Sequence, residues 1–188
     1  MEEFFYHILN RGVEKRKIFL NEEDYLRFAR NLKDFNDLNN VIDYSDRYKQ
    51  GGRTAQLAVR PPDKSRGQKR QLREELVNIL CWCLMPNHPH ILIQEKVYNG
   101  ASKFSQKIFG GYTSYFNLKN QRNGVLFQGR SKIIRIERDT HFLHLPFYIL
   151  SNPIKLIEPK WKDEGIKNFK KVMEFLENYK WSSFPDII

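Results

Sequence analysis

Two histidines one residue apart, His88 and His90, are the side chains of this sequence best suited to chemistry. Alternate residues of a β-strand point to the same face with Cα atoms roughly 6.5 Å apart, so both imidazoles can bind one metal ion. A pair of structural histidines is the alternative interpretation. Pro89 between them lacks the amide hydrogen of a strand ladder, so we expect the strand to be a local edge there, to begin late or to carry a bulge.

The elements that would hold these histidines follow from hydrophobic spacing. Apolar runs and alternation predict strands, and three- and four-residue spacing predicts helices. Their order is strand, helix, strand, strand, helix, strand and two more helices, which is typical of an α+β fold, the ferredoxin-like split βαβ antiparallel sheet with helices on one face. The predicted strands are 4–9, 77–85, 91–93 and 130–137, and the predicted helices are 22–35, 101–118, 139–151 and 163–179.

Composition and charge predict the domain organisation. Of the 188 residues 40% are hydrophobic, enough for a sizeable core, which argues against disordered and fibrous classes. We expect one domain, 1–188, with a basic insertion at about 43–73 and a C-terminal helical extension at about 160–188. The net charge is +10, and nine basic residues with one acid lie within 47–73. The insertion is therefore either a solvated surface loop or an arm that contacts nucleic acid.

Hydrophobicity and the charge of the first residues predict a cytoplasmic protein. No apolar run reaches the roughly 18 residues of a membrane span, and the first residues are acidic where a signal peptide would be basic. Cys81 and Cys83 are the only cysteines, and same-face neighbours on a strand rarely form a disulfide. We expect both to be buried thiols, because no further cysteine completes a zinc site.

The segment 84–93, LMPNHPHILI, resembles the motif of HUH single-strand DNA nucleases and transposases, in which two histidines flank one usually hydrophobic residue. Within that class the chain resembles the REP-associated tyrosine transposases and the related insertion-sequence transposases that use one catalytic tyrosine. Further blocks agree in order and spacing over nearly the whole chain except the basic insertion. These blocks are HILNRG at 7–12, LFQGRSK at 126–132, FYILSNPI at 147–154 and WSSF at 181–184.

The resemblance implies a nucleophile, Tyr148, and a third metal ligand, the side-chain amide of Asn152, beside His88 and His90. Tyr148 and Asn152 are four residues apart, so one helix can present both to the same point. Two imidazoles and a neutral amide favour a loosely held Mg²⁺ or Mn²⁺ over structural zinc. A core aromatic residue is the alternative interpretation of Tyr148.

The substrate that the resemblance implies is single-stranded DNA with a hairpin, cleaved and rejoined through a 5′-phosphotyrosine intermediate. Moving an element needs two subunits or sequential events, so a homodimer and a monomer are both open. The rival interpretations are a non-catalytic ferredoxin-like module that binds nucleic acid and a domesticated relative that nicks DNA without transposition. His141 and His144 match no ligand of the family. The residues expected to contact DNA phosphates are Arg11, Lys107, Arg130, Lys132 and Arg135.

Overall fold

The structure is a computed structural model that describes residues 3–39 and 73–187. The predicted basic insertion lies outside the described residues, apart from Arg73. Within the described ranges, strands and helices follow one another in the predicted order, and the predicted α+β fold is confirmed.

Four strands form one antiparallel sheet: β1 (Phe5–Leu9), β2 (Val77–Met85), β3 (His88–Glu95) and β4 (Lys132–Arg135). Their spatial order is β2-β3-β1-β4, and every neighbouring pair is antiparallel. This is the order of the split βαβ arrangement, because β3 lies between β1 and β2. β1 and β3 are therefore the two central strands.

Two long helices cover one face of the sheet and bury the larger core. α1 (Glu22–Asp34) begins after Asn21, whose side chain caps the helix by accepting a backbone hydrogen bond of 3.2 Å. α2 (Gly100–Lys119) packs beside α1. A Cβ added to Gly111 of α2 would come within 2.6 Å of the Phe35 ring. The missing side chain thus allows α2 to approach the end of α1 closely.

α3 (Asp139–Ser151) lies on the opposite face of the sheet, so both faces are covered. Its Ile149 is buried in a cluster that includes Cys81 and Cys83, which are free thiols and buried as predicted. Burial raises the pKa of Cys81 to about 12 and raises the pKa of Cys83 as well. Both thiols are therefore protonated packing groups.

The C-terminal region differs from the single helix predicted over 163–179. It contains α4 (Trp161–Glu164) and α5 (Phe169–Glu177), which are separated by Gly165 at φ +78°. A positive φ interrupts a helix, while the hydrophobic spacing runs on through the break and conceals it. In the part of the chain that the structure describes, no helix is long and apolar enough to cross a membrane.

The end of the chain covers the open edge of β2. The Ser183 amide donates to the Trp82 carbonyl at 3.0 Å, and the Ser183 hydroxyl accepts from the Trp82 amide at 2.9 Å. The Leu84 amide donates to the Trp181 carbonyl at 2.8 Å. The Trp181 ring stacks on Tyr25 of α1 with centroids 4.7 Å apart. The segment WSSF thereby pairs an edge strand and ties it to α1.

Trp181→Ala is expected to lower the free energy of unfolding by about 3 kcal/mol, because it removes a large ring that joins the chain end to α1. Denaturant titration measures this loss, and the slope of the free energy of unfolding against denaturant concentration should be the same in both proteins. The control is Phe169→Ala, which truncates a ring that is 68% exposed and should cost less than about 1 kcal/mol. An equal loss in both variants would contradict the role given to Trp181.

Candidate functional site

The β2–β3 hairpin places the two motif histidines at the start of β3. Pairing between β3 and β1 starts at His90, so Pro89 lies at the end of that ladder, where a missing amide hydrogen is tolerated. Pro89 is therefore at a local edge, and the irregularity in the sheet lies in β2 instead. Both His88 and His90 belong to regular strand.

The motif histidines share a face of the sheet with a third histidine, His7 of β1. Residues paired across antiparallel strands point to the same side, and the register pairs His7 with Leu92. Leu92 is two residues from His90 and four from His88, so all of these side chains point to one face. His7 Nε2 lies 2.9 Å from His90 Nδ1, and the ring centroids are 5.1 Å apart. The rings of His88 and His90 have centroids 4.8 Å apart. Two strands thus bring three imidazoles together.

These three imidazoles are neutral at neutral pH. Burial, with smaller contributions from nearby imidazoles and cations, lowers the pKa of His90 to about 2. Burial, with a smaller contribution from His141, lowers the pKa of His7 to about 4. Burial and the cations Arg11 and Lys155 lower the pKa of His88 to about 4. The neutral imidazole is the form that binds metals.

The ring nitrogen left open on each motif histidine is Nε2. His88 Nδ1 lies 2.5 Å from Asn87 Oδ1, an acceptor, so His88 donates from Nδ1 and keeps a lone pair on Nε2. His90 Nε2 is buried and has no hydrogen-bond partner among the described residues. An unpaired buried polar atom is costly, and such atoms mark candidate binding sites.

α3 brings Tyr148 next to these imidazoles. The centroid of its ring is 5.6 Å from that of His90 and 6.4 Å from that of His7, and both contacts are edge to face. The side chain is 42% exposed, which differs from a core aromatic residue. Lys162 of α4 sets its ammonium 4.4 Å from the centroid of the Tyr148 ring. The phenol is therefore accessible to a bound molecule and adjacent to positive charge.

Asn152 follows α3 directly and keeps a helical backbone, at φ −54° and ψ −37°. The helical path continues as a 3-10 segment, Asn152–Leu156, in spite of Pro153. The side-chain Nδ2 of Asn152 donates to the Tyr148 carbonyl at 2.7 Å. No hydrogen bond to its Oδ1 is found in the described ranges, so the amide oxygen is the atom left for a ligand.

The donor set fits a weakly held oxygen-preferring cation. Among residues 3–39 and 73–187, no group of three His, Cys, Asp or Glu side chains is arranged to hold a metal ion. A metal at the histidine pair would need a ligand of another type, and Asn152 offers an amide oxygen. Two neutral nitrogens and one neutral oxygen carry no ligand charge, so a divalent cation held by them would be bound weakly.

Comparison with known proteins gives a structural likeness and no sequence match. No protein-family model matches the chain, and no curated protein matches it. A solved structure described as a REP-associated tyrosine transposase bound to a REP hairpin is similar to it, with a TM-score of 0.51 and 17% identity. The alignment covers 98% of this chain and 77% of that chain. The two proteins share a fold.

Of the five residues predicted to contact DNA, Arg11 lies near His88, and Lys132 shares the sheet face of the histidines. Arg11 is exposed, and its charge contributes to the lowered pKa of His88. Lys132 pairs with Leu9, which also pairs with His90, so these side chains project from one face of the sheet. Both cations are exposed.

The other three predicted contacts lie elsewhere. Arg130 is exposed in the segment before β4. Arg135 pairs with Tyr6, so it points to the face covered by α1 and α2. Lys107 of α2 donates to two backbone carbonyls that follow α1, at 2.5 and 2.9 Å. The structure does not bring Lys107 to the histidines.

Three residues of the site, His7, Lys155 and Lys162, have no motif or spacing in the sequence that marks them. His7 opens the block HILNRG, and its position in an otherwise apolar strand is a signal that could have marked it. Its partner His90 is 83 residues away, which no spacing rule reveals. Lys155 and Lys162 are two of 32 basic residues, and only the path of the chain after α3 distinguishes them.

Proposed function

We propose that this protein is a metal-dependent enzyme that cleaves and rejoins single-stranded DNA near hairpins, with Tyr148 as the nucleophile. The observation that carries the proposal is the pairing of an accessible phenol with a buried imidazole nitrogen that lacks a partner, ring centroids 5.6 Å apart. Nucleophilic attack on a phosphodiester needs such a nucleophile beside a site that can neutralise the phosphate. The likeness to a hairpin-bound transposase supports the same substrate class.

The proposed cofactor is Mg²⁺ or Mn²⁺, held by Nε2 of His88, Nε2 of His90 and Oδ1 of Asn152. When bound, such an ion offsets the charge of the scissile phosphate and orients it for in-line attack. The burial of His90 keeps its imidazole neutral and ready to bind a cation. Because the ligands carry no charge, we expect weak metal binding until DNA adds its phosphate oxygen.

Tyr148 would attack through Oη, which forms a bond to phosphorus while the bond to the 3′-oxygen of the preceding nucleotide breaks. The phenol loses a proton and the departing 3′-oxygen gains one, so protons and charge balance. The products are a 5′-phosphotyrosine and a free 3′-hydroxyl. Attack by a 3′-hydroxyl on the phosphotyrosine reverses the step and rejoins DNA, because a phenolate, of ordinary pKa about 10, leaves more readily than an alkoxide.

Three basic side chains lie near the proposed nucleophile or near His88. Lys162 holds its ammonium 4.4 Å from the centre of the Tyr148 ring, and a positive charge beside the phenol can offset the negative charge on Oη as the phenol loses its proton. Arg11 and Lys155 act on His88 and are exposed, so they are suited to phosphates on either side of the scissile bond. None of the three is the nucleophile or a metal ligand.

The test of this function uses a pool of single-stranded hairpin oligonucleotides with Mn²⁺. A 3′-labelled strand should become linked to the protein and survive denaturation, while a 5′-labelled strand should be released as a shorter product with a 3′-hydroxyl. Binding to hairpins without an adduct across the pool would favour the non-catalytic nucleic-acid-binding module. Adducts without strand joining would favour the domesticated nicking enzyme.

Asn152→Ala is expected to slow cleavage about tenfold to a hundredfold at low Mn²⁺, as loss of one weak ligand lowers metal affinity. Excess Mn²⁺ should restore part of the rate, which initial rates over a metal titration measure. Asn178→Ala is the matched control, because Asn178 makes the same local bond from Nδ2 to the carbonyl four residues before it, at 2.7 Å. A deficit that Mn²⁺ does not relieve would argue that Asn152 only supports the helix end.

A further inference from the structure

His7 is a buried imidazole to which the proposed reaction assigns no task. It lies in the middle of β1, is 6% exposed and belongs to the sheet face that carries His88 and His90. Its Nε2 is 2.9 Å from Nδ1 of His90, and the two rings are stacked with an interplanar angle of 20°. A polar side chain in the centre of a sheet needs a hydrogen bond, and His90 supplies it.

The hydrogen between His7 and His90 can belong to either ring, and the two arrangements differ in one consequence. If His7 donates, His90 Nδ1 is the acceptor and its hydrogen sits on Nε2, which is a buried atom with no partner. That arrangement leaves an unsatisfied donor and closes Nε2 to a cation. If His90 donates from Nδ1, its Nε2 keeps a lone pair.

We propose that His7 is a positioning residue that accepts the Nδ1 hydrogen of His90 and so holds His90 in the tautomer whose Nε2 is open to a divalent cation. His7 faces the other nitrogen of the His90 ring, so it lies behind this ligand and does not itself bind the ion. The inference rests on the metal site of the proposed function. Its physical basis is that the partner of one ring nitrogen decides which nitrogen carries the hydrogen.

The neighbouring motif histidine supports this assignment. His88 donates its Nδ1 hydrogen to Asn87 Oδ1 at 2.5 Å, so Asn87 holds the hydrogen of His88 on Nδ1, as His7 is proposed to do for His90. Both acceptors, an amide oxygen and an imidazole nitrogen, are neutral. Each therefore orients a ligand without adding negative charge to the site, in keeping with weak metal binding.

The experiment compares His7→Leu and His7→Gln with the unaltered protein. Leucine fills the buried position and offers no acceptor, whereas glutamine brings an amide oxygen towards the place of Nε2. Nitrogen-15 NMR of labelled histidines reports the tautomer of His90 in the metal-free protein, and electron paramagnetic resonance measures Mn²⁺ binding without DNA cleavage. His141→Leu is the control, since His141 is an exposed histidine that interacts with His7. Thermal unfolding shows whether each variant is folded.

In the unaltered protein we expect the His90 hydrogen on Nδ1. His7→Leu should move it to Nε2 and weaken Mn²⁺ binding about tenfold or more, while His7→Gln should restore the Nδ1 tautomer and most of the affinity. A His90 hydrogen on Nε2 in the unaltered protein, or an unchanged tautomer in a folded His7→Leu, would overturn the inference. If the unaltered protein binds no Mn²⁺ even with an uncleavable hairpin present, the proposed metal-dependent function fails, and the tautomer still decides the role of His7.

Discussion

Tyr148→Phe should abolish the covalent protein–DNA adduct and lower strand cleavage by at least about a thousandfold, because it deletes the only atom proposed to bond to phosphorus. The phenylalanine ring keeps the edge contacts with His7 and His90 and the contact with the Lys162 ammonium. The side chain is 42% exposed, so the free energy of unfolding should change by no more than about 0.5 kcal/mol. Denaturing gel electrophoresis of labelled hairpin DNA measures the adduct.

The control for this variant is Tyr98→Phe, which removes a hydroxyl from a side chain that is 85% exposed. It should form the adduct at the rate of the unaltered protein. Hairpin binding by Tyr148→Phe should also be nearly unchanged, since phosphate contacts supply most of the affinity. A persistent adduct in Tyr148→Phe would show that another residue is the nucleophile, and mass spectrometry of the linked peptide would identify it.

The double variant His88→Ala, His90→Ala should also reduce cleavage by at least about a thousandfold, because the site loses both nitrogen ligands. Its affinity for an uncleavable hairpin should change by less than about threefold, and the salt dependence of binding should be retained. Cleavage and binding should separate because the basic side chains, and not the imidazoles, are the groups proposed to contact most phosphates. Mn²⁺ binding measured by electron paramagnetic resonance should be lost with cleavage.

His90 is 3% exposed, so truncating it to alanine could unfold the protein, and a second variant separates loss of the ligands from loss of the fold. His88→Leu with His90→Leu keeps side chains of similar size in the strand and offers no atom that binds a cation, so it should also lose Mn²⁺ binding and cleavage. His144→Ala, an exposed histidine of α3, is the control and should retain both. Full cleavage by the folded leucine variant would rule out the histidine pair as the metal site.

Most of the secondary structure could be predicted from the sequence because local patterns specify it. The hydrophobic run of β2 and the apolar spacings of α1 and α2 each act within a few residues, and the structure has these elements where they were expected. The order of the elements then limits the topology to the split βαβ sheet. The prediction failed at Gly165, because a single positive φ ends a helix without disturbing the hydrophobic spacing.

The sequence by itself determined the residue types of the candidate site and their local spacing. His88 and His90 share a strand face by alternation, and Tyr148 and Asn152 share a helix face by the turn of the helix. The tertiary structure decided what surrounds them: His7 lies behind His90, Lys162 lies beside Tyr148, and Arg11 lies near His88. It also put Lys132, but not Arg135, on the sheet face of the histidines. These contacts join residues far apart along the chain, and they depend on strand register and on the path of the chain after α3.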